Sequence, residues 1–209
     1  MIHPISKRLL DLTVAGGALL LLWPVMLAVA LAVKLDSPGP VFFRHIRVGR
    51  FGVPFRIHKF RTMRHAPESL PLTVGEDVRI TRVGRWLRRT RLDELPQLLD
   101  VLRGDMSLVG PRPEVPRYVA HYPSSLRDRA LAVRPGITDP ASLQHADEAR
   151  LLAQAADPER FYIEQILPAK VAQAVAYAES ATLATDLAVL RRTLRFLLRS
   201  LLKPRSSPP

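Results

Sequence analysis

The sequence contains no cysteine, which excludes two common ways of stabilising a small protein. A disulfide-linked secreted module and a zinc site with cysteine ligands both need that residue. The sequence also lacks a Walker loop and a glycine-rich dinucleotide fingerprint. Its six histidines are scattered, with no pair at His-x-x-x-His spacing. These absences exclude several standard metal and nucleotide sites and direct attention to the charge and proline patterns.

Aromatic residues make up only 6% of the 209 residues, but hydrophobic residues make up 47%. That share is enough for one sizeable core and excludes disorder as the overall state. The formal net charge is +12, and the stretch from Arg44 to Arg91 carries +10 of it, with 13 basic and 3 acidic residues. A polyanion, whether nucleic acid, anionic lipid or a phosphorylated substrate, is the expected partner of this segment.

Residues 12–33 form a charge-free run of 22 residues, long enough as a helix to cross a bilayer. A cleaved signal peptide is disfavoured because its apolar run is normally shorter. A spanning helix conflicts with the positive-inside tendency, since Lys7 and Arg8 precede the run and Lys34 follows it. Pro24, near the middle, would kink a helix. A re-entrant helix that returns to the same face is therefore as well supported as a mildly kinked spanning helix.

The remaining sequence predicts a small mixed domain of the α/β or α+β class. Short strands are expected at 41–43 and 55–57, joined by a hairpin-like turn at 50–52. A helix is predicted over 94–102, and Gly104 would end it.

The segment after residue 148 has a helical pattern that Pro158 and Pro168 divide. Its last part, Leu183 to Leu202, places leucines beside arginines and predicts an amphipathic basic helix. Such a helix suits the surface of an anionic membrane. A helix packed on the domain, with its basic face in water, is equally well supported.

An acid pair, Asp93-Glu94, follows a run in which four of the seven residues from Arg85 to Arg91 are arginine. Neighbouring cations would favour the ionised form of both carboxylates. One carboxylate could then attack phosphorus while the other binds Mg²⁺ through oxygen. The simpler interpretation is a helix N-cap with an acid in the first turn, and the pair alone favours that interpretation.

Two further cations are candidates for binding phosphate. Lys59 belongs to a segment that interleaves cations with apolar residues, as would a strand with one phosphate-facing side. Pro111 and Pro113 fix the backbone around Arg112, which orients its guanidinium for an anion. Each pattern alone is weak evidence, because a solvated basic segment has the same composition.

Five motifs in a fixed order resemble one known family. They are RVGR at 47–50, KFRTM at 59–63, LDELPQL at 92–98, GDMSLVGPRP at 104–113 and RPGIT at 134–138. Together they resemble the bacterial sugar transferases, the monotopic polyprenyl-phosphate phosphoglycosyl transferases, over about residues 5–140. The chain is similar to the minimal catalytic form of that family.

The resemblance implies a reaction and its residues. A sugar-1-phosphate would pass from a UDP-sugar to polyprenyl phosphate, expected to be undecaprenyl phosphate, with release of UMP. Asp93 would be the nucleophile, through a covalent phosphosugar intermediate, and Glu94 would help to bind the cofactor Mg²⁺. Lys59, Arg88 and Arg112 stand where the family places phosphate-binding cations. The product would initiate assembly of a bacterial glycan such as an exopolysaccharide, capsule, O-antigen or glycoprotein.

The resemblance also implies a location in the bacterial inner membrane, with the active site facing the cytoplasm. A re-entrant membrane helix broken near Pro24 would occupy 1–36. A catalytic core would follow at 37–147, then C-terminal helices at 148–202 that lie partly on the membrane surface, and a disordered tail at 203–209. The expected partners are UDP-sugar, undecaprenyl phosphate, membrane lipid and a second copy of the chain, with no nucleic acid.

Two positions depart from the family pattern. Trp23 stands where many members have serine before the proline. Asp139-Pro140 follows RPGIT where most members continue with glycine, so the donor sugar cannot be carried over. Two alternatives stay open, namely a non-catalytic basic protein that binds membranes or nucleic acid, and a spanning glycosyltransferase that releases UDP.

Overall fold

A computed structural model describes residues 4–64, 77–139 and 148–202. It has the mixed helix and strand content that the sequence predicts. The predicted tail at 203–209 lies outside the described residues. In chain order the elements are α1 Pro4–Asp36, β1 Phe42–Val48, β2 Pro54–Phe60, α2 Arg82–Thr90, α3 Gln97–Arg103, β3 Ser107–Val109, α4 Pro116–Val119, α5 Ser124–Ala130, β4 Gly136–Thr138, α6 Glu148–Gln154, α7 Pro158–Phe161, a π-helical turn Tyr162–Ile166, α8 Leu167–Ser180 and α9 Leu183–Leu202.

Helix α1 is continuous over 33 residues and contains Pro24 in its interior. By length and composition it could cross a membrane. Proline removes one backbone hydrogen bond but does not end the helix here, as membrane helices tolerate. The chain therefore has the apolar N-terminal helix that the sequence predicts, while its re-entrant insertion stays a prediction.

Both halves of α1 pack on the same body, whereas its middle does not. Asp11 and Ala15 are buried in the first half, and Val29 and Val33 in the second. Residues 20–25 between them are exposed apart from a partly buried Leu22. The helix thus touches the domain at two places and leaves its apolar centre uncovered.

Polar contacts attach the two ends of α1 to the domain. Lys7 Nζ donates to the carbonyl of Val109 at 2.9 Å and pairs with the carboxylate of Asp186 at 2.5 Å. At the other end, the Asp36 carboxylate accepts a hydrogen bond from Val83 N at 3.0 Å. Because buried polar groups lose free energy without partners, these bonds hold both ends in place.

Strands β1 and β2 form the predicted hairpin. They pair antiparallel from Phe42 opposite Phe60 to Val48 opposite Pro54. The predicted strands at 41–43 and 55–57 were too short, since each covers only part of a seven-residue strand. The hairpin is important for the site because β2 carries Lys59.

The segment around the acid pair differs from the sequence prediction. Residues Leu92–Glu94 form a single 3-10 turn, and α3 begins only at Gln97. The N-cap position of α3 belongs to Pro96, so the interpretation of Asp93 as a helix cap is wrong. The predicted end of the helix is confirmed, because Gly104 adopts a left-handed conformation with φ of 93°.

Strands β3 and β4 pair in parallel and fix the backbone beside Arg112. Ser107 lies opposite Gly136, and Val109 lies opposite Thr138. A Cβ at Gly136 would come within 2.1 Å of the Gly110 nitrogen, so this close approach requires glycine.

The C-terminal helices pack on the domain, as the predicted breaks at Pro158 and Pro168 allow. Helix α9 buries Asp186 and joins its Thr193 hydroxyl to that of Thr138 at 2.8 Å. It nevertheless leaves Leu187 53% exposed. Contacts thus support the packed-helix interpretation for one face of α9, and its placement on a membrane surface stays a prediction. A hydrophobic core forms between these helices and α4 and α5, with Val115, Tyr118, Ala130, Leu152, Tyr162, Ile166, Leu167, Val171, Ala174 and Val175 buried.

Candidate active site

The acid pair lies on a sharp turn between α2 and α3. Arg91, the residue directly after α2, has a φ of 60°. This left-handed conformation is unfavourable in free energy for any residue that carries a side chain. Its carbonyl accepts the hydrogen bond from Glu94 N at 3.2 Å. The strained residue thus turns the chain between α2 and α3, and Asp93 lies near enough to Arg88 of α2 for their charges to interact.

Glu94 is bound by two cations from different elements. Its Oε1 accepts hydrogen bonds from Lys59 Nζ at 2.7 Å and from Arg112 Nη2 at 2.6 Å. Burial by itself raises the pKa of Glu94, but the charges of Arg112 and Lys59 outweigh it and hold the pKa well below its ordinary value. Glu94 therefore stays ionised and joins β2 to the proline-flanked segment.

Asp93, the residue directly before Glu94, has an environment opposite to that of Glu94. It is 8% exposed, and its buried Oδ1 has no hydrogen-bond partner in the described parts of the chain. Burial and then the charge of Glu94 raise the pKa of Asp93, against the cations Lys59, Arg112 and Arg91. The expectation that neighbouring cations favour ionisation of both carboxylates holds for Glu94, whereas the pKa of Asp93 is shifted the other way.

A cavity of about 870 Å³ opens beside Lys59 and Arg112, the two cations that bind Glu94. Its lining includes these cations, Arg88 and Arg91, together with the buried acid Asp139. Tyrosines and polar groups also line it, including Tyr118, Tyr122, Tyr162, Glu114, Lys170 and Gln173. A cavity of this size, with four cations in its lining, can hold a phosphorylated ligand.

The structure brings together most of the residues that the sequence singles out. Lys59, Glu94 and Arg112 are in direct contact, and Asp93 adjoins them. Arg88 lines the same cavity. Burial lowers the pKa of Arg88, and the charge of Asp93 partly offsets that shift.

Pro24, the one predicted functional residue of α1, lies away from this cluster, in the exposed middle of the helix. Two residues near the site were missed as functional candidates. Arg91 was named only within the arginine run, although its position immediately before LDE marks it as the residue at the turn. Asp139 was noted only as a departure from a motif, and its place in the cavity depends on the pairing of β3 with β4.

Comparisons with known proteins identify the family of this chain. The model of the family described as bacterial sugar transferase matches residues 2–200. A UDP-glucose:undecaprenyl-phosphate glucose-1-phosphate transferase of Caulobacter vibrioides is 46% identical over 145 residues, 67% of this chain and 54% of the relative. A protein with the same name from Escherichia coli is 45% identical over 141 residues, 66% of this chain and 30% of the relative.

A relative with another sugar in its name matches equally well. The UDP-N-acetylgalactosamine-undecaprenyl-phosphate N-acetylgalactosaminephosphotransferase of Aeromonas hydrophila is 42% identical over 164 residues, 72% of this chain and 38% of the relative. The chain thus spans about half or less of the length of these relatives. Since the family model covers nearly all described residues, the chain belongs to the bacterial sugar transferase family.

Proposed function

We propose that this chain transfers a sugar-1-phosphate from a UDP-sugar to a polyprenyl phosphate, undecaprenyl phosphate in the relatives' names. The observation that carries the proposal is the contrast within the acid pair. Glu94 is neutralised by Lys59 and Arg112, while Asp93 keeps a buried oxygen without a partner among the described residues. An unpaired carboxylate oxygen beside clustered cations is a suitable nucleophile for phosphorus.

In the first displacement, Asp93 attacks the β-phosphorus of the UDP-sugar. A bond forms between the carboxylate oxygen and phosphorus, and the bond from phosphorus to the bridging oxygen breaks. That oxygen keeps the electron pair and leaves as part of UMP. The product on the protein is a phosphosugar ester of Asp93. Because the carboxylate must be ionised to attack, the raised pKa of Asp93 makes this step depend on pH.

In the second displacement, a phosphate oxygen of the polyprenyl phosphate attacks the same phosphorus. The bond to Asp93 breaks, and its electron pair returns to the carboxylate. Polyprenyl-diphosphate sugar leaves, and the chain is regenerated. Both substrates are anions that approach a carboxylate, so the cations lining the cavity, among them Arg88 and Arg112, offset the repulsion.

The residues present fit Mg²⁺ in one specific way. No group of three or more potential metal ligands occurs within the described ranges, so the protein would supply only one or two of the ligands. Mg²⁺ commonly binds to one or two carboxylates and completes its shell with water and substrate phosphate. Glu94, whose carboxylate is held ionised, is the residue that would hold it. When bound, the ion would neutralise charge on the diphosphate.

The helix α1 supports a monotopic attachment to the membrane. Both of its ends contact one domain, and its exposed apolar middle contains Pro24. A straight spanning helix would place these ends on opposite sides of the bilayer, about 50 Å apart for 33 residues. We propose that α1 enters and leaves the membrane on the cytoplasmic side of the inner membrane, where the active site would also lie.

Labelling of single cysteines can test this topology, because the chain has no native cysteine. Ile5→Cys near the start of α1 and Phe43→Cys on β1, the element that follows α1, place thiols at exposed positions before and after the apolar run. Both thiols are expected to resist an impermeant reagent in intact cells and to react after permeabilisation. Reaction of only one of them in intact cells would contradict the proposed topology.

The activity itself is tested by the nucleotide that is released. Purified chain in detergent is incubated with a panel of UDP-sugars and undecaprenyl phosphate, and the products are separated. We expect UMP and a lipid-linked diphosphate sugar. Release of UDP would identify an ordinary glycosyltransferase, and no release from any UDP-sugar would favour a non-catalytic binding protein.

A further inference from the structure

Gln97 is a buried amide whose hydrogen bonds the fold does not satisfy. Its side chain is 2% exposed, and its Nε2 has no hydrogen-bond partner among residues 4–64, 77–139 and 148–202. An amide nitrogen donates two hydrogen bonds, and leaving it buried without an acceptor costs free energy. Unpaired buried groups of this kind are rare and call for an explanation by a ligand or a water.

Gln97 lies close to the acid pair in the sequence. It follows Asp93 by about one helical turn, at the first residue of α3. It also lies between two points that attach this segment to β2. Glu94 bonds to Lys59 at 2.7 Å, and the Asp100 carboxylate accepts the backbone N–H of His58 at 2.9 Å. The segment that carries Gln97 is thus held against the end of β2 that bears Lys59.

The unpaired atoms of Asp93 and Gln97 have opposite hydrogen-bonding roles. Asp93 Oδ1 is an acceptor without a donor, and Gln97 Nε2 is a donor without an acceptor, so the two atoms do not bond to each other. In an acyl phosphate on Asp93, the unpaired oxygen would be the one bonded to phosphorus. The phosphoryl oxygens would then offer acceptors next to the acid pair.

We propose that Gln97 contacts the substrate and donates a hydrogen bond to the phosphoryl group that is transferred to Asp93. This role rests on the proposed function. A neutral donor is useful at this place because Glu94 already binds Lys59 and Arg112 and neutralises part of their charge. The Gln97 amide would stabilise the negative charge that develops on the phosphoryl oxygens in the transition state.

Substitution of Gln97 by methionine tests the proposal, because methionine keeps the approximate shape and has no donor. The UMP release by Gln97→Met is expected to have a kcat lower by about tenfold or more, with KM for the UDP-sugar changed little. Its melting temperature is expected to equal or exceed that of the wild type, since an unsatisfied buried donor is removed. The matched control is Gln154→Met on α6, an exposed position, which should match the wild type.

A second variant keeps the test valid if Gln97→Met does not fold. Gln97→Leu has a similar size and no hydrogen-bond donor, so kcat should again fall. A kcat within twofold of the wild type for either folded variant would overturn the role of Gln97. A wild-type chain that forms no adduct on Asp93 would overturn the proposed function together with this role, so the two failures are distinguishable.

Discussion

The two adjacent acids of the candidate site have opposite surroundings. Glu94 shares its carboxylate between Lys59 and Arg112, and these cations keep its pKa low. Asp93 keeps an unpaired oxygen, and burial raises its pKa. The two acids are adjacent in sequence, so the difference comes from the elements around them and not from local composition.

This difference indicates a division of labour. A carboxylate that is bonded to two cations holds the site together, and its charge is largely compensated. A buried carboxylate with one oxygen left unpaired destabilises the folded chain, but that oxygen is available to react. The following predictions separate the two acids by their effects on activity and on stability.

The largest expected effect is the loss of activity in Asp93→Asn. Asparagine has the same shape but cannot form the phosphosugar ester, so UMP release should fall by about a thousandfold or more. The free energy of unfolding should stay the same or rise by about 1 kcal/mol, because the charge of a buried carboxylate with one unpaired oxygen is removed. Assays of UMP release and thermal melting in detergent check both effects.

The exposed Asp128 on α5 provides the matched control for this variant. Asp128→Asn should keep both wild-type activity and wild-type stability. If Asp93→Asn releases UMP at the wild-type rate, the assignment of the nucleophile is wrong.

Glu94→Gln should lower activity and stability together. The change leaves Lys59 and Arg112 close to each other without the carboxylate that pairs them, which should cost about 1–3 kcal/mol of unfolding free energy. UMP release should fall by about a hundredfold, with partial recovery at high Mg²⁺ if Glu94 helps to bind the ion. An increase in melting temperature for Glu94→Gln would contradict the role of this residue as the partner of both cations.

The smallest expected effect is the pH dependence that Asp93 contributes. Because its pKa is raised in the folded state, the rate of UMP release should fall as pH decreases through that raised value. The same shift destabilises the folded chain as pH rises from the ordinary aspartate pKa through the raised one. Asp93→Asn should therefore gain stability relative to the wild type over this rise in pH, measured by melting at several pH values. An unchanged difference between the two chains across this range would show that the pKa of Asp93 is not raised.

The sequence indicates which residues belong to the candidate site better than it indicates which of them contact each other. The proline-flanked Arg112 and the acid pair were recognisable because their motifs are local. That Glu94 binds Lys59 could not be predicted, because the contact joins β2 to a turn 35 residues later. The same long-range packing determines which carboxylate is paired and which is left unpaired.

One local prediction failed, and one feature near the acid pair was not predicted. Asp93 has a residue type that often caps helices, but a 3-10 turn follows the left-handed Arg91, and α3 begins only after Pro96. The burial of Gln97 was not predicted because a polar residue in a short helix is usually exposed. Both deviations from the local pattern lie in the segment that carries the acid pair, as is expected of a functional segment.

Mapping of a covalent adduct tests the central claim most directly. The wild-type chain is incubated with a UDP-sugar in the absence of polyprenyl phosphate, digested and analysed by tandem mass spectrometry. The account predicts a mass increase of one sugar-phosphate on the peptide that contains LDELPQL, with the modification on Asp93 and equimolar UMP released. Addition of undecaprenyl phosphate should remove the adduct. An adduct on another residue, or turnover with no adduct on Asp93, would contradict the account.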